Sequence, residues 1–334
     1  MTARRLPLRA AATLAALVAA QPAVADDTWR SLAATADDER IRLEYERAMN
    51  DGDDAVSTAV SASLLSDRLR LIDRAIASYE LAARARPDQA EPHFRAASVI
   101  RIFDIDCRPM PSPQCPEATP ARRARLIEHW DAFERLAPGD PRIAEDVLFE
   151  RAVNRTKLGT DADLAAARDD YRKLLELRPD SELSNVLGNL AETYMMLGDL
   201  DRAIETYRRT IATGADLSQE FGMAVALDRD EQGSQARAII AARGEGGVAR
   251  FQLELRSGHI FFVPPGEELY YLALAAEALG DVSSAIELWD GFIASGAHPQ
   301  FADRARHNRD VLLRRGSERR PTVRRPRRPP AWNP

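Results

Sequence analysis

Leu190-Ala191-Glu192-Thr193-Tyr194-Met195-Met196-Leu197-Gly198-Asp199-Leu200-Asp201-Arg202-Ala203-Ile204-Glu205-Thr206-Tyr207 decides the fold of this 334-residue chain. Small and apolar residues recur on both sides of Gly198-Asp199 at spacings of three and four, which is the period of one helix face. The first helix is expected from Ser184 to Leu197, with Gly198 ending it, and the second from about Leu200 to Thr213. Glycine adopts the left-handed conformation that closes a helix without strain.

The second helix carries a phrase that returns along the chain. A small or apolar residue is followed four positions on by a large aromatic, then three positions on by another small or apolar residue, often with proline beyond. It reads Ala75, Tyr79, Ala82, Pro87; then Leu126, Trp130, Phe133, Pro138; then Ala167, Tyr171, Leu174, Pro179. Ala203, Tyr207, Thr210 and Ala285, Trp289, Phe292 complete the series. In the first three copies proline falls just past the helix, which it cannot continue. A second copy of the leading helix is Leu272-Ala273, Ala276 and Gly280-Asp281.

These features resemble the tetratricopeptide repeat family, whose unit is a pair of antiparallel helices of about 34 residues. The leading Trp and Gly of the family's first helix are mostly replaced here, often by Ala. The resemblance implies an all-α fold, a right-handed α-solenoid of helix-turn-helix units. It also implies that the first helix of each pair lines a concave face. In this register that face carries Phe94, Phe149, Asn185, Asn189, Met195, Met196, Tyr270 and Tyr271 as a candidate groove. Apolar anchors beside two amides suit an extended peptide or a helix from a protein partner.

Anchor positions fall at 75, 126, 167, 203, 238 and 285, so the middle intervals stay near the repeat length while the first and the last stand well above it. The array is expected over 56–315, after a helical lead-in at 26–55, with insertions at 105–120 and 244–265. The fifth unit, Phe221 to Arg243, is degenerate, with Ala238 as its anchor and no aromatic after it. Residues 299–314 read as a capping helix. In the second insertion Phe251, Leu253 and Leu255 alternate with polar residues before Gly258 and Ile260-Phe261-Phe262-Val263. Two readings stand there: a small β-hairpin, or an extended loop whose phenylalanines pack on the last unit.

The first insertion holds both cysteines, Cys107 and Cys115, around Pro109, Pro111 and Pro113. Its prolines exclude a helix, and the pair reads as a structural disulfide in an oxidising compartment. That compartment follows from residues 1–25: Arg4, Arg5 and Arg9, an apolar run from Ala10 to Ala20, then Ala23-Val24-Ala25. This is the pattern of a secretory signal peptide cleaved after Ala25, so the mature chain is expected in the periplasm or outside the cell.

Charge is unevenly spread. Of the formal −6, residues 1–25 contribute +3 and residues 314–334 contribute +7, which leaves −16 for the body. A body this acidic repels nucleic acid. The tail from 316 to 334 is expected to be disordered, with Arg319, Arg320, Arg324, Arg325, Arg327 and Arg328 between prolines. Such a tail suits a weak tether to an anionic membrane or glycan, or a clamp folded back on the acidic body.

No residue set for catalysis, cofactor or metal stands out. The five histidines are scattered, and the Gly-x-Ser-x-Gly and phosphate-loop patterns are missing. Asp37-Asp38, Asp53-Asp54 and Asp169-Asp170 read as solvated faces and caps. The expectation is therefore a non-catalytic protein–protein interaction scaffold or adaptor of the cell envelope. The rival reading is a cell-wall or glycan-processing enzyme with dispersed carboxylates, which requires two acids converging in one pocket and one raised pKa.

Overall fold

The computed structural model describes residues 21–106, 118–178, 184–212, 214, 216–257, 260 and 263–318. Among them every regular element is helical and there is no strand. The chain divides into two compact units, residues 1–140 and 141–334.

The first unit contains α1 (Gln21–Ser61), α2 (Leu65–Ala85), α3 (Glu91–Val99, prolonged by a π-helical turn at Ile100–Ile105) and α4 (Pro120–Leu136). The residues expected as a lead-in belong to α1, which packs along α2 as the first helical pair. Ala75, Tyr79 and Ala82 on α2, and Leu126, Trp130 and Phe133 on α4, are all buried. Tyr79 needs room on α1: a Cβ on Gly52 would lie 2.5 Å from the Tyr79 ring, so only glycine seats the aromatic this deeply. Thr119 caps α4 by accepting from the Arg122 backbone N–H.

The second unit contains α5 (Leu148–Leu158, entered through a π-helical turn at Ile143–Val147), α6 (Asp161–Leu177), α7 (Ser184–Met196), α8 (Leu200–Ala212), α9 (Leu217–Arg229), α10 (Gly233–Arg256), α11 (Glu267–Ala278), α12 (Val282–Ser295) and α13 (Ala302–Glu318). Each of α5, α9 and α11 packs most extensively on the helix that follows it, as does α7 on α8. The helix α13 closes the series against α12, as the capping reading requires. Ala167, Tyr171, Leu174, Ala203, Tyr207, Ala285, Trp289 and Phe292 are buried, so the recurring phrase is the spine of this core. Truncating one such aromatic to alanine costs about 3–5 kcal/mol.

The turn inside a pair has a repeated chemistry. Gly198 (φ 79°) and Gly280 (φ 83°) end α7 and α11 in the left-handed region. The next residue caps the following helix: Asp281 accepts from the Ser284 N–H, and Asp199 from the Arg202 N–H. The degenerate fifth unit breaks this pattern. Its left-handed position is taken by Glu231 (φ 60°), while Gly233 starts α10. Its anchor is also displaced: Ala236 and Ile240 are buried, whereas Ala238 is exposed. Without an aromatic to fix the phase, the sequence register slips by two residues.

The insertion beginning at Gly244 is a kink rather than a hairpin. Gly244 leaves helical geometry (φ 62°, ψ −172°) and α10 then resumes to Arg256. Phe251 is fully buried whereas Leu253 is 60% exposed, so the alternating apolar residues do not share a face as they would in a strand. Residues 258, 259, 261 and 262 lie outside the described set. So do residues 1–20, both cysteines and the six tail arginines from Arg319 onward; Ala23-Val24-Ala25 falls within α1. Among the described residues no helix is long and apolar enough to cross a membrane.

Candidate functional site

The first helices of successive pairs in the second unit present their inward faces to one cavity of about 400 Å³. From α5 come Phe149, Val153 and Thr156, spaced by four and three. From α7 come Asn185, Gly188, Asn189, Glu192 and Met196, one face of a single helix. Asp216, Ser218 and Gln219 at the start of α9, and Tyr271 on α11, continue the wall. Tyr171, Tyr207 and Phe251 enter from second helices, and Ile260 and Val263 from the segment before α11.

The kinked half of α10 explains the insertion. It delivers Phe251 between Phe221 and Tyr271, stacking on the first at 4.3 Å and 11° and on the second at 6.0 Å and 17°. Gly188 allows the close approach of α9, because a Cβ there would meet Gln219 Nε2 at 2.9 Å.

Glu192 is the charged centre of the cavity. Tyr207 Oη donates to its Oε2 at 2.6 Å, and Tyr271 Oη reaches Oε2 at 2.9 Å and Oε1 at 3.2 Å. Among the described residues it forms no ion pair. Burial pushes its carboxyl above the usual range, while the two hydroxyls and the more distant Arg229 pull it part of the way back. The Tyr207 and Tyr271 hydroxyls are pushed far up, first by burial and then by this carboxylate.

The obvious counter-charge is committed elsewhere. Arg229 pairs with Glu267 at 2.6 Å, both side chains 0% exposed. Its guanidinium lies 4.5 Å from the Tyr270 ring centre and 4.1 Å from that of Phe301. Asp228 beside it accepts from Tyr270 Oη (2.7 Å), Arg304 Nη2 (2.8 Å) and Asn308 Nδ2 (2.8 Å). Asp170 is also consumed structurally, by Arg151 and Arg155, and does not sit on a solvated face.

The sequence-derived groove residues divide accordingly. Phe149, Asn185, Asn189, Met196 and Tyr271 line the cavity. Met195 and Tyr270 are core instead; each is one residue, or about 100° of helix, away from a lining neighbour. Tyr270 is wedged edge-on against Trp289 at 4.7 Å. Phe94 belongs to the first unit, half-buried on Trp130 and Phe133 at 5.5 and 5.0 Å. Glu192 escaped the sequence reading although its signal was present: 185, 189, 192 and 196 are spaced by four, three and four. Among the described residues no group of three or more metal-binding side chains occurs.

Residues 184–211, which form α7 and most of α8, match the tetratricopeptide repeat family. The chain is 34% identical over 82 residues to photosystem I assembly protein Ycf3 of Synechococcus sp. (strain CC9605), covering 24% of this chain and 46% of that protein. It therefore spans about half the length of this relative. Among solved structures it is similar to MamA protein, at 16% identity and a TM-score of 0.42, over 66% of this chain and 98% of that one. It is also similar to the tetratricopeptide repeat domain of P58(IPK), at 16% identity and a TM-score of 0.39, over 83% and 67% respectively. The α7–α8 pair is a tetratricopeptide repeat, a unit that generally mediates protein–protein interaction.

Proposed function

We propose that this chain is a non-catalytic adaptor that holds a partner polypeptide in the cavity of its second unit. The supporting observation is that α5, α7, α9 and α11 turn their faces to one recess, where apolar rings stand beside the Asn185 and Asn189 amides. Rings supply contact area at low entropy cost, and amides can bond a peptide backbone in either sense. The signal-like residues 1–25 support a setting in the periplasm or outside the cell, in which Cys107 and Cys115 would form a disulfide. The arginines from 319 onward add a weak tether to anionic lipid or glycan.

The test is capture from envelope extract with the full chain and with Asn185→Trp, which fills the mouth of the cavity from an exposed position. A protein retained by the first and released by the second is expected. The same retained proteins with both would contradict the reading.

One observation favours the enzyme reading: Glu192, with its raised pKa, shares the cavity with Asp216. Asp216, however, is the cap of α9, accepting from the Gln219 N–H at 3.2 Å and from Ser218 Oγ at 2.5 Å. That leaves one acid, held by two tyrosine hydroxyls, where glycoside hydrolysis needs two. Release of sugar from peptidoglycan by the wild type, abolished in Glu192→Gln, would restore the enzyme reading.

A further inference from the structure

We propose that the cavity around Glu192 receives the guanidinium of an arginine side chain from the bound polypeptide, with Glu192 as its counter-ion. This deepens the adaptor reading and rests on it. The first ground is charge. The lining residues include two carboxylates, Glu192 and Asp216, and no lysine, arginine or histidine among those described. The second is commitment. Asp216 is occupied as a helix cap, whereas Glu192 accepts only neutral hydroxyls and keeps lone-pair capacity on Oε1. The third is the wall. Phe149, Tyr171, Phe251 and Tyr271 line the same cavity as the carboxylate, Phe149 with part of its ring open, and a planar guanidinium packs on an aromatic wall while its N–H groups reach a carboxylate. The volume suits one long side chain, at the small end of the range for ligand sites.

The same chemistry already operates in the core of this unit. Arg229 lies between the Tyr270 and Phe301 rings and bonds Glu267. The cavity reproduces two of those three components, rings and carboxylate, and omits the arginine. An incoming guanidinium completes the set.

The experiment is calorimetric titration of the full chain with n-propylguanidinium and with N-propylurea, its neutral isostere. The wild type is expected to bind the cation at least tenfold more tightly, and Glu192→Gln to abolish that preference. Glu192→Gln removes a single charge from a body of −16, so nonspecific attraction would survive it. Equal binding of the two probes, or a preference retained in Glu192→Gln, overturns the assignment. Asn185→Arg, at the exposed rim, gives a second arm independent of Glu192: its own guanidinium should block the probe, and unaltered binding overturns the assignment. Deleting residues 319–334 tests the other source of guanidinium; a tenfold gain in probe affinity would make the chain's own tail the occupant and overturn the partner. Failure here is separable from failure of the adaptor reading. A protein still released by Asn185→Trp, with no cation preference, defeats only the arginine; a cation preference with unchanged capture defeats the adaptor.

Discussion

Both units set a tyrosine of the recurring phrase against a carboxylate, and they differ in what else the carboxylate holds. In the first unit Tyr79 Oη donates to Asp53 Oδ1 at 2.7 Å, and Arg95 Nη1 binds the same oxygen at 2.6 Å. In the second, Tyr207 Oη donates to Glu192 at 2.6 Å, and no basic group follows. The first arrangement is closed: a half-exposed anion has its cation and faces solvent. The second is open, with a desolvated anion facing a cavity. One device thus serves structure in one place and leaves a place for a ligand in the other.

Removing the partner of a charge separates the two units most sharply. Glu267→Ala strands Arg229 in a site with 0% exposure, and urea unfolding should show a loss of about 3–5 kcal/mol. Asp53→Ala breaks a pair whose side chains are over 40% exposed, and should cost at most about 1 kcal/mol. Equal losses would mean that the buried pair is not the stronger constraint.

The tyrosine hydroxyls give the next contrast. Tyr207→Phe removes a donor from a desolvated carboxylate and should cost about 1.5–3 kcal/mol. Tyr79→Phe leaves Asp53 its arginine and its water, and should cost at most about 1 kcal/mol. A smaller loss at 207 than at 79 would reverse the comparison.

Glycines sharpen it further. A Cβ on Gly222 would collide with the Tyr207 ring, as one on Gly52 would with Tyr79. Each alanine should cost about 1–3 kcal/mol by overpacking. Only Gly222→Ala should also weaken n-propylguanidinium binding, because it displaces a hydroxyl that positions Glu192.

A pH titration probes what the units share. Each buries one histidine and holds it neutral: His129 and His298 are both lowered to about 4, chiefly by burial, with His93 adding to the first and Arg229 to the second. In the unfolded chain they titrate near 6.5. Their contribution to stability is therefore complete above pH 6.5 and lost as pH falls through 4, at about 1.4 kcal/mol per pH unit for each. Replacing either with glutamine should flatten the unfolding free energy measured between pH 6.5 and 4, by a similar amount in the two units.

The pairs of helices were legible because alanine and aromatic anchors recur at fixed spacing, and Gly198-Asp199 and Gly280-Asp281 punctuate them. Where that punctuation failed, so did the reading. At Glu231 a charged residue takes the glycine's conformation, and the phase moved from Ala236 to Ala238. The alternation at Phe251, Leu253 and Leu255 left a hairpin and an extended loop both open, because short apolar runs fit either period. The structure continues α10 through all three to Arg256, with Phe251 buried and Leu253 exposed. The cavity itself was half legible. Asn185, Asn189 and Met196 follow from one helix face, but Glu192 on that face reads as an ordinary solvated acid. Its lack of a paired cation depends on Arg229 being bound to Glu267, 38 residues further along the chain, which no local pattern records.

Glu192 stands in the cavity without a paired counter-charge. Carbon-13 NMR of the glutamate side-chain carboxyls, with Glu192 assigned by its disappearance in Glu192→Gln, measures this directly. The expected result is a titration midpoint above that of ordinary glutamates, which falls when n-propylguanidinium saturates the cavity. A midpoint in the ordinary range that the cation does not move would contradict it.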